Sequence, residues 1–130
     1  AVDLFSYSPR IQVADMHDLP YEDDYFDIVF AGWVLAYSDN QDRALHEMVR
    51  VLKPGGYITL AHGYTPMNKM DRYGKKIGNF VGASYPKNSL DEIFAPISDN
   101  IERYIFRHEV NEEMSERGLR SIIATLKLKD

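Results

Sequence analysis

The sequence predicts an α/β protein built on a mostly parallel sheet, and three observations predict it. Residues 26–31 (FDIVFA) form an apolar run of strand length. Residues 38–53 carry a helical apolar period. A second apolar run, residues 57–61 (YITLA), follows a Pro-Gly-Gly break. Strand, helix and strand in that rhythm, within residues 13–60, imply parallel neighbours joined by a helical crossover.

The elements follow in chain order. Residues 1–5 read as a strand that starts at once. Residues 11–14 read as a second short strand ending at Asp15. Only Ser6 to Arg10 separate them, and a parallel crossover normally takes a dozen residues or more. The two are therefore not expected as ordinary parallel neighbours. One of them is displaced, pairs elsewhere or is held by a second chain. A polar turn occupies residues 17–24. Residues 26–31 should lie in a sheet covered on both faces, because the run does not alternate. Gly32 and Trp33 close that strand at its carboxyl end, the end that faces ligands in open α/β sheets.

In the helix, Ser38 or Asp39 can cap the first turn, and Asp42 suits the positive helix start. Leu45, Met48, Val49 and Leu52 make one buried stripe, while Arg43, Glu47 and Arg50 point away from it. Pro54 blocks a further turn, and Gly55 with Gly56 lets the chain reverse. Residues 65–88 show no clear period and read as a loop or a partly helical lid. Residues 89–97 read as a short helix capped by Ser89. Residues 101–110 and 119–128 read as an antiparallel hairpin, turned by Gly118 and the polar stretch 111–117.

Composition narrows the function classes. The 130 residues suffice for one domain, and 45% hydrophobic residues suffice for a packed core. There is no cysteine, so disulfides, cysteine metal sites and cysteine nucleophiles are excluded. No apolar run reaches the length of a membrane span, and the opening residues show no signal peptide, so a soluble cytoplasmic protein is expected. A net charge of −5 gives no bulk attraction to nucleic acid. A basic patch at Lys69, Arg72, Lys75 and Lys76 reads as a solvated loop.

Three pieces carry a family resemblance: Ala14-Asp15-Met16-His17-Asp18-Leu19-Pro20, then Phe26-Asp27-Ile28-Val29, then Arg50-Val51-Leu52-Lys53-Pro54-Gly55-Gly56. In this order and spacing the chain resembles the class I S-adenosylmethionine-dependent methyltransferases, of the methyltransferase type 11 kind. The match is close over the first half and holds in outline beyond it. The resemblance implies a Rossmann-like methyltransferase sheet, mostly parallel, with a C-terminal antiparallel hairpin. Set against that family, the chain looks truncated at its N-terminus, because no glycine precedes Gly32 and the family's first strand and glycine-rich loop find no match.

The resemblance also implies a cofactor, S-adenosylmethionine, and site residues. Asp3 matches the acid that binds the ribose hydroxyls. Asp15 matches the acid at the adenine amino group, and Met16 the residue that frames the adenine ring. Gly32 and Trp33 lie where the family's post-strand loop meets cofactor and substrate. Each also has an ordinary reading: strand-end acids, a core methionine, a partly buried aromatic. His62 sits where a base could act, yet a satisfied histidine is the commoner case. His17 and His46 lack metal-ligand spacing, and no metal site is expected. Two function classes follow: methyl transfer from S-adenosylmethionine to an acceptor the sequence does not name, or a non-catalytic remnant of the fold used for binding or assembly. Without the glycine-rich loop, weak or no cofactor binding by the isolated chain is expected. Loss of the family's central strand would leave residues 26–31 with an open edge, and a homodimer is expected to cover it.

Overall fold

The computed structural model describes Val2 and Asp3, residues 12–68 and residues 87–130. Its main sheet has four strands in the order β3-β4-β6-β5: β3 (Phe26–Gly32), β4 (Leu52–Gly63), β5 (Ile101–His108) and β6 (Ser121–Leu128). β3 and β4 are parallel, joined over one face by helix α1 (Gln41–Val51). β6 lies between β4 and β5 and runs antiparallel to both, so the C-terminal hairpin is present. The turn between β5 and β6 holds a five-residue helix, α3 (Glu112–Glu116), capped by Asn111, and Gly118 at φ 87°. Ser89 caps α2 (Leu90–Phe94), as expected, and a 3-10 turn (Ala95–Asn100) carries Pro96.

β1 (Val2–Asp3) and β2 (Gln12–Val13) form a separate parallel ladder, with Val2 opposite Gln12 and Asp3 opposite Val13. This corrects the expectation that a short linker keeps them apart. The dozen-residue requirement belongs to strands of ordinary length. A two-residue ladder asks the chain to return only about 7 Å along the strand and about 5 Å sideways, well within reach of residues 4–11.

α1 begins one or two positions later than the sequence suggests. Asn40, rather than Ser38 or Asp39, is its cap and accepts from the Arg43 N–H at 3.1 Å. Ser38 accepts from the Asn40 N–H at 3.0 Å, which stiffens the approach. The buried stripe is Gln41, Ala44, Leu45, Met48 and Val51, while Val49 is only half-buried. The helix ends at Val51, before Pro54, because Leu52 already has extended backbone and begins β4. Lys53 to Gly56 then bulge outward, since Phe26 faces Leu52 and Ile28 faces Tyr57. Gly55 sits at φ 77°, and a side chain there would also collide with the Asp130 carboxylate.

The core lies on the face that α1 and α2 cover. Leu35, Leu45, Ile58, Leu60, Leu90, Ile93, Phe94, Ile122 and Leu126 are all buried in it. The opposite face of β3 is open: Ile28 is 60% exposed and Phe30 is 70% exposed. The expectation of a doubly covered strand is therefore not met among the described residues. Val29 and Ala31 point to the helices, and no described element packs over their neighbours.

Candidate functional site

The polar turn is a strap laid along α1 from its start to its end. Arg43 Nε donates to the His17 carbonyl at 2.8 Å. The Leu19 N–H donates to Glu47 Oε2 at 2.8 Å. Arg50 donates to the carbonyls of Leu19 and Tyr21, at 3.0 and 2.8 Å, and to Asp23 Oδ1 at 2.9 Å. Asp24 and Tyr25 then donate their N–H groups to the Arg50 and Val51 carbonyls, which sets the start of β3. So the polar face of α1 is not merely solvated: Glu47 and Arg50 hold the strap, and hydrogen bonds from Arg50 and the Leu19 N–H keep the Glu47 carboxyl below its ordinary range.

At the top of the strap stands Asp15. Its Oδ1 accepts from the His17 N–H at 2.9 Å and lies 2.7 Å from His17 Nδ1. Those bonds to His17, backbone first, hold the Asp15 carboxyl below the usual carboxylate range, so it is ionised at neutral pH. The side chain is 57% exposed and open to a ligand. Met16 is half-buried and packs against the core cluster. Asp3 ends β1 opposite Val13, two residues before Asp15. Thus Asp3, Asp15 and Met16 belong to one ladder and its exit.

Gly32 and Trp33 come from the other side, at the carboxyl end of β3. Gly32 pairs with Ala61, and the Trp33 N–H donates to the Ala61 carbonyl at 2.8 Å. Trp33 has φ 53°, a costly backbone for a bulky residue, and its ring is half exposed rather than tucked under the helix. Strain held beside an exposed aromatic marks this corner. The two groups approach each other at His17, whose Nε2 lies 2.6 Å from Ser38 Oγ, just beyond the Leu35–Tyr37 turn that follows β3.

His62 is buried on the core side of β4, and its Nδ1 has no partner among the described residues. Burial, then the Lys87 charge, pushes its pKa down, so it is neutral at pH 7. Nearby, Thr65 and Asn88 clasp each other, and Tyr64 donates to Glu112 at 2.8 Å. The basic patch Lys69, Arg72, Lys75 and Lys76 lies outside the described residues. Among the described residues no cluster of metal-ligating side chains occurs, and no helix is long and apolar enough to cross a membrane.

The family model described as a methyltransferase domain matches residues 3–60. That span contains the strap, α1 and the β3–β4 pair. Over that span, somewhat under half of the chain, the protein is similar to methyltransferases. Among curated relatives it is 28% identical over 115 residues to malonyl-[acyl-carrier protein] O-methyltransferase of Halorhodospira halophila, covering 85% of this chain and 32% of that protein. It is also 28% identical over 116 residues to the ubiquinone/menaquinone biosynthesis C-methyltransferase UbiE of Neisseria meningitidis, covering 86% of this chain and 46% of that one. The chain thus spans less than half the length of these relatives. Among solved structures, a chain from the complex of the Haloferax volcanii Trm112 methyltransferase activator with a methyltransferase aligns at TM-score 0.67 and 20% identity, over 92% of this chain and 61% of that one. The Burkholderia thailandensis 1,6-didemethyltoxoflavin-N1-methyltransferase, solved with bound 1,6-didemethyltoxoflavin and S-adenosylhomocysteine, aligns at TM-score 0.66 and 17% identity, over 99% of this chain and 60% of that one. At such identities the structures establish the fold: an α/β, Rossmann-like methyltransferase sheet.

Proposed function

We propose that this chain serves methyl transfer from S-adenosylmethionine to an acceptor, with Asp15 and Met16 taking the adenine end of the cofactor. Asp3 lies one ladder step before them and takes the ribose hydroxyls; Gly32 and Trp33 form the opposite wall. The observation that carries this reading is Asp15: an ionised, exposed carboxylate, held by His17, at the position where the family contacts adenine. The residues fit the adenine half of the cofactor, since an acceptor-only carboxylate suits an exocyclic amino group. Bound cofactor supplies a sulfonium-activated methyl group. The chain's part is to orient that group, and no general base is required for every acceptor. A cytoplasmic setting, expected from the sequence, belongs to the same reading.

The residues named above meet only the adenine and ribose end of the cofactor, so we expect weak binding of S-adenosylmethionine by this chain alone. Isothermal titration tests this, with Asp15→Ala as the control. Weak binding lost in the variant supports the site, and tight stoichiometric binding overturns the expected weakness. Binding that Asp15→Ala leaves untouched overturns the assignment.

The open side of β3 favours a second reading, an assembly module of the same fold. Among the described residues β3 is an edge strand, and that edge with the exposed Ile28 and Phe30 suits pairing with a second copy about a two-fold axis. Light scattering across a concentration series should then show a homodimer. A 15.0 kDa monomer at every concentration removes this reading.

A further inference from the structure

Asp15, His17 and Ser38 stand in the order of a nucleophilic relay: carboxylate, imidazole, hydroxyl. The distances are 2.7 Å from Asp15 Oδ1 to Nδ1 and 2.6 Å from Nε2 to Ser38 Oγ. Accessibility excludes the chemistry, because Ser38 is 0% exposed and no substrate carbon can reach its hydroxyl. The arrangement is a mechanical tie. It joins the acid after β2 to the segment after β3, with Asp39 Oδ1 3.6 Å from Nε2 and Arg43 on the His17 carbonyl as the other charged groups at hand.

The consequence falls on Asp15. An exposed aspartate normally samples several rotamers, and a ligand that needs one of them must meet the cost of selecting it. Here two N–H donors of one residue hold Oδ1. Among the described residues no donor reaches Oδ2.

We propose that His17 is a positioning residue that fixes Asp15 so that Oδ2 accepts a hydrogen bond from the exocyclic amino group of an adenine nucleoside. The proposal rests on the cofactor reading above and adds a specificity to it. An ionised carboxylate only accepts, so it welcomes the amino group of adenine and rejects the carbonyl of hypoxanthine. That preference requires the carboxylate to stay put.

The two ring nitrogens can be tested apart in the full chain. His17→Asn keeps an amide N–H near the place of Nδ1 and loses the reach to Ser38. His17→Gln reaches Ser38 and loses the Nδ1 bond to Asp15. His17→Ala loses both, and thermal unfolding shows which variants fold. Carbon-13 NMR follows the Asp15 carboxyl titration. Its midpoint should rise in the Ala and Gln variants and stay low in the Asn variant. Ligand-detected NMR then compares S-adenosylhomocysteine with its inosine counterpart. The wild-type preference for the amino ligand should be on the order of tenfold, the worth of one hydrogen bond to a charged group. It should collapse towards unity in the Ala variant and recover in the Asn variant. An Asp15 midpoint unmoved by His17→Ala overturns the clamp. A raised midpoint with an unchanged ligand preference overturns the positioning role. A wild-type chain that binds neither ligand overturns the cofactor reading itself, and the titration still decides the clamp.

Discussion

The register of α1 yields the sharpest test of the fold. Leu45 is 0% exposed and belongs to the core cluster, on the helix that packs against β4 and the Ala95–Asn100 turn. Val49, four residues on, is only half-buried at the edge of the same cluster. Leu45→Ala removes buried methyl and methylene groups and leaves a cavity that the surrounding sheet cannot fill, at a cost of about 3–4 kcal/mol. For a chain of this size that lowers the melting temperature by roughly 10 °C. Val49→Ala removes less and faces water on one side, so about 1 kcal/mol is expected. Chemical denaturation with unchanged m-values measures both costs. The sequence period alone ranks the two positions equally. Equal losses at Leu45 and Val49, or a larger loss at Val49, would refute the register and with it the placement of Arg43, Glu47 and Arg50 along the strap.

Three further outcomes are expected. His62 has its pKa lowered by burial, so below about pH 6.5 the unfolded chain binds more protons there than the native one. Stability is therefore whole above that pH and falls as pH drops through this window, and denaturation of His62→Gln between pH 7.5 and 5.5 should show a flatter profile than wild type. Gly55→Ala should cost about 1–2 kcal/mol through its positive φ, and the cost should persist in an Asp130→Ala background if the backbone rather than the carboxylate clash sets it. Asn40→Ala should cost about 1 kcal/mol in thermal unfolding, the value of the lost helix cap.

What the sequence made legible was local. The strands at 26–31 and 57–61, the helix between them, the Ser89 cap and the C-terminal pair follow from period, cap and break, and each is present. The five-residue α3 was hidden because a single turn has no period to read. The cap was misplaced by one or two residues because Ser38, Asp39 and Asn40 are all good caps and only the backbone chooses among them. The strap was invisible for a different reason. Arg50 and Glu47 bind main-chain carbonyls and an N–H, groups that every residue carries, so nothing in the sequence marks the partner. In the sequence His17 stands out only as a metal-ligand candidate. The available signal was a histidine two residues after an aspartate, in a turn able to bring ring and backbone to one carboxylate oxygen.

The position of Asp15 is owed to α1 more than to the ladder before it. Among the described residues β1 and β2 share two residue pairs, too short a ladder to be stable by itself. The strap, by contrast, is fixed at three heights: His17 on Arg43 and Ser38, Leu19 on Glu47, and Tyr21 and Asp23 on Arg50. α1 in turn is fixed by its buried stripe against β4 and the Ala95–Asn100 turn. The acid that meets adenine in the family is thereby referenced to the same helix that joins β3 to β4, whose carboxyl ends carry Gly32, Trp33 and His62. The geometry between Asp15 and Trp33 therefore passes through α1 and Ser38.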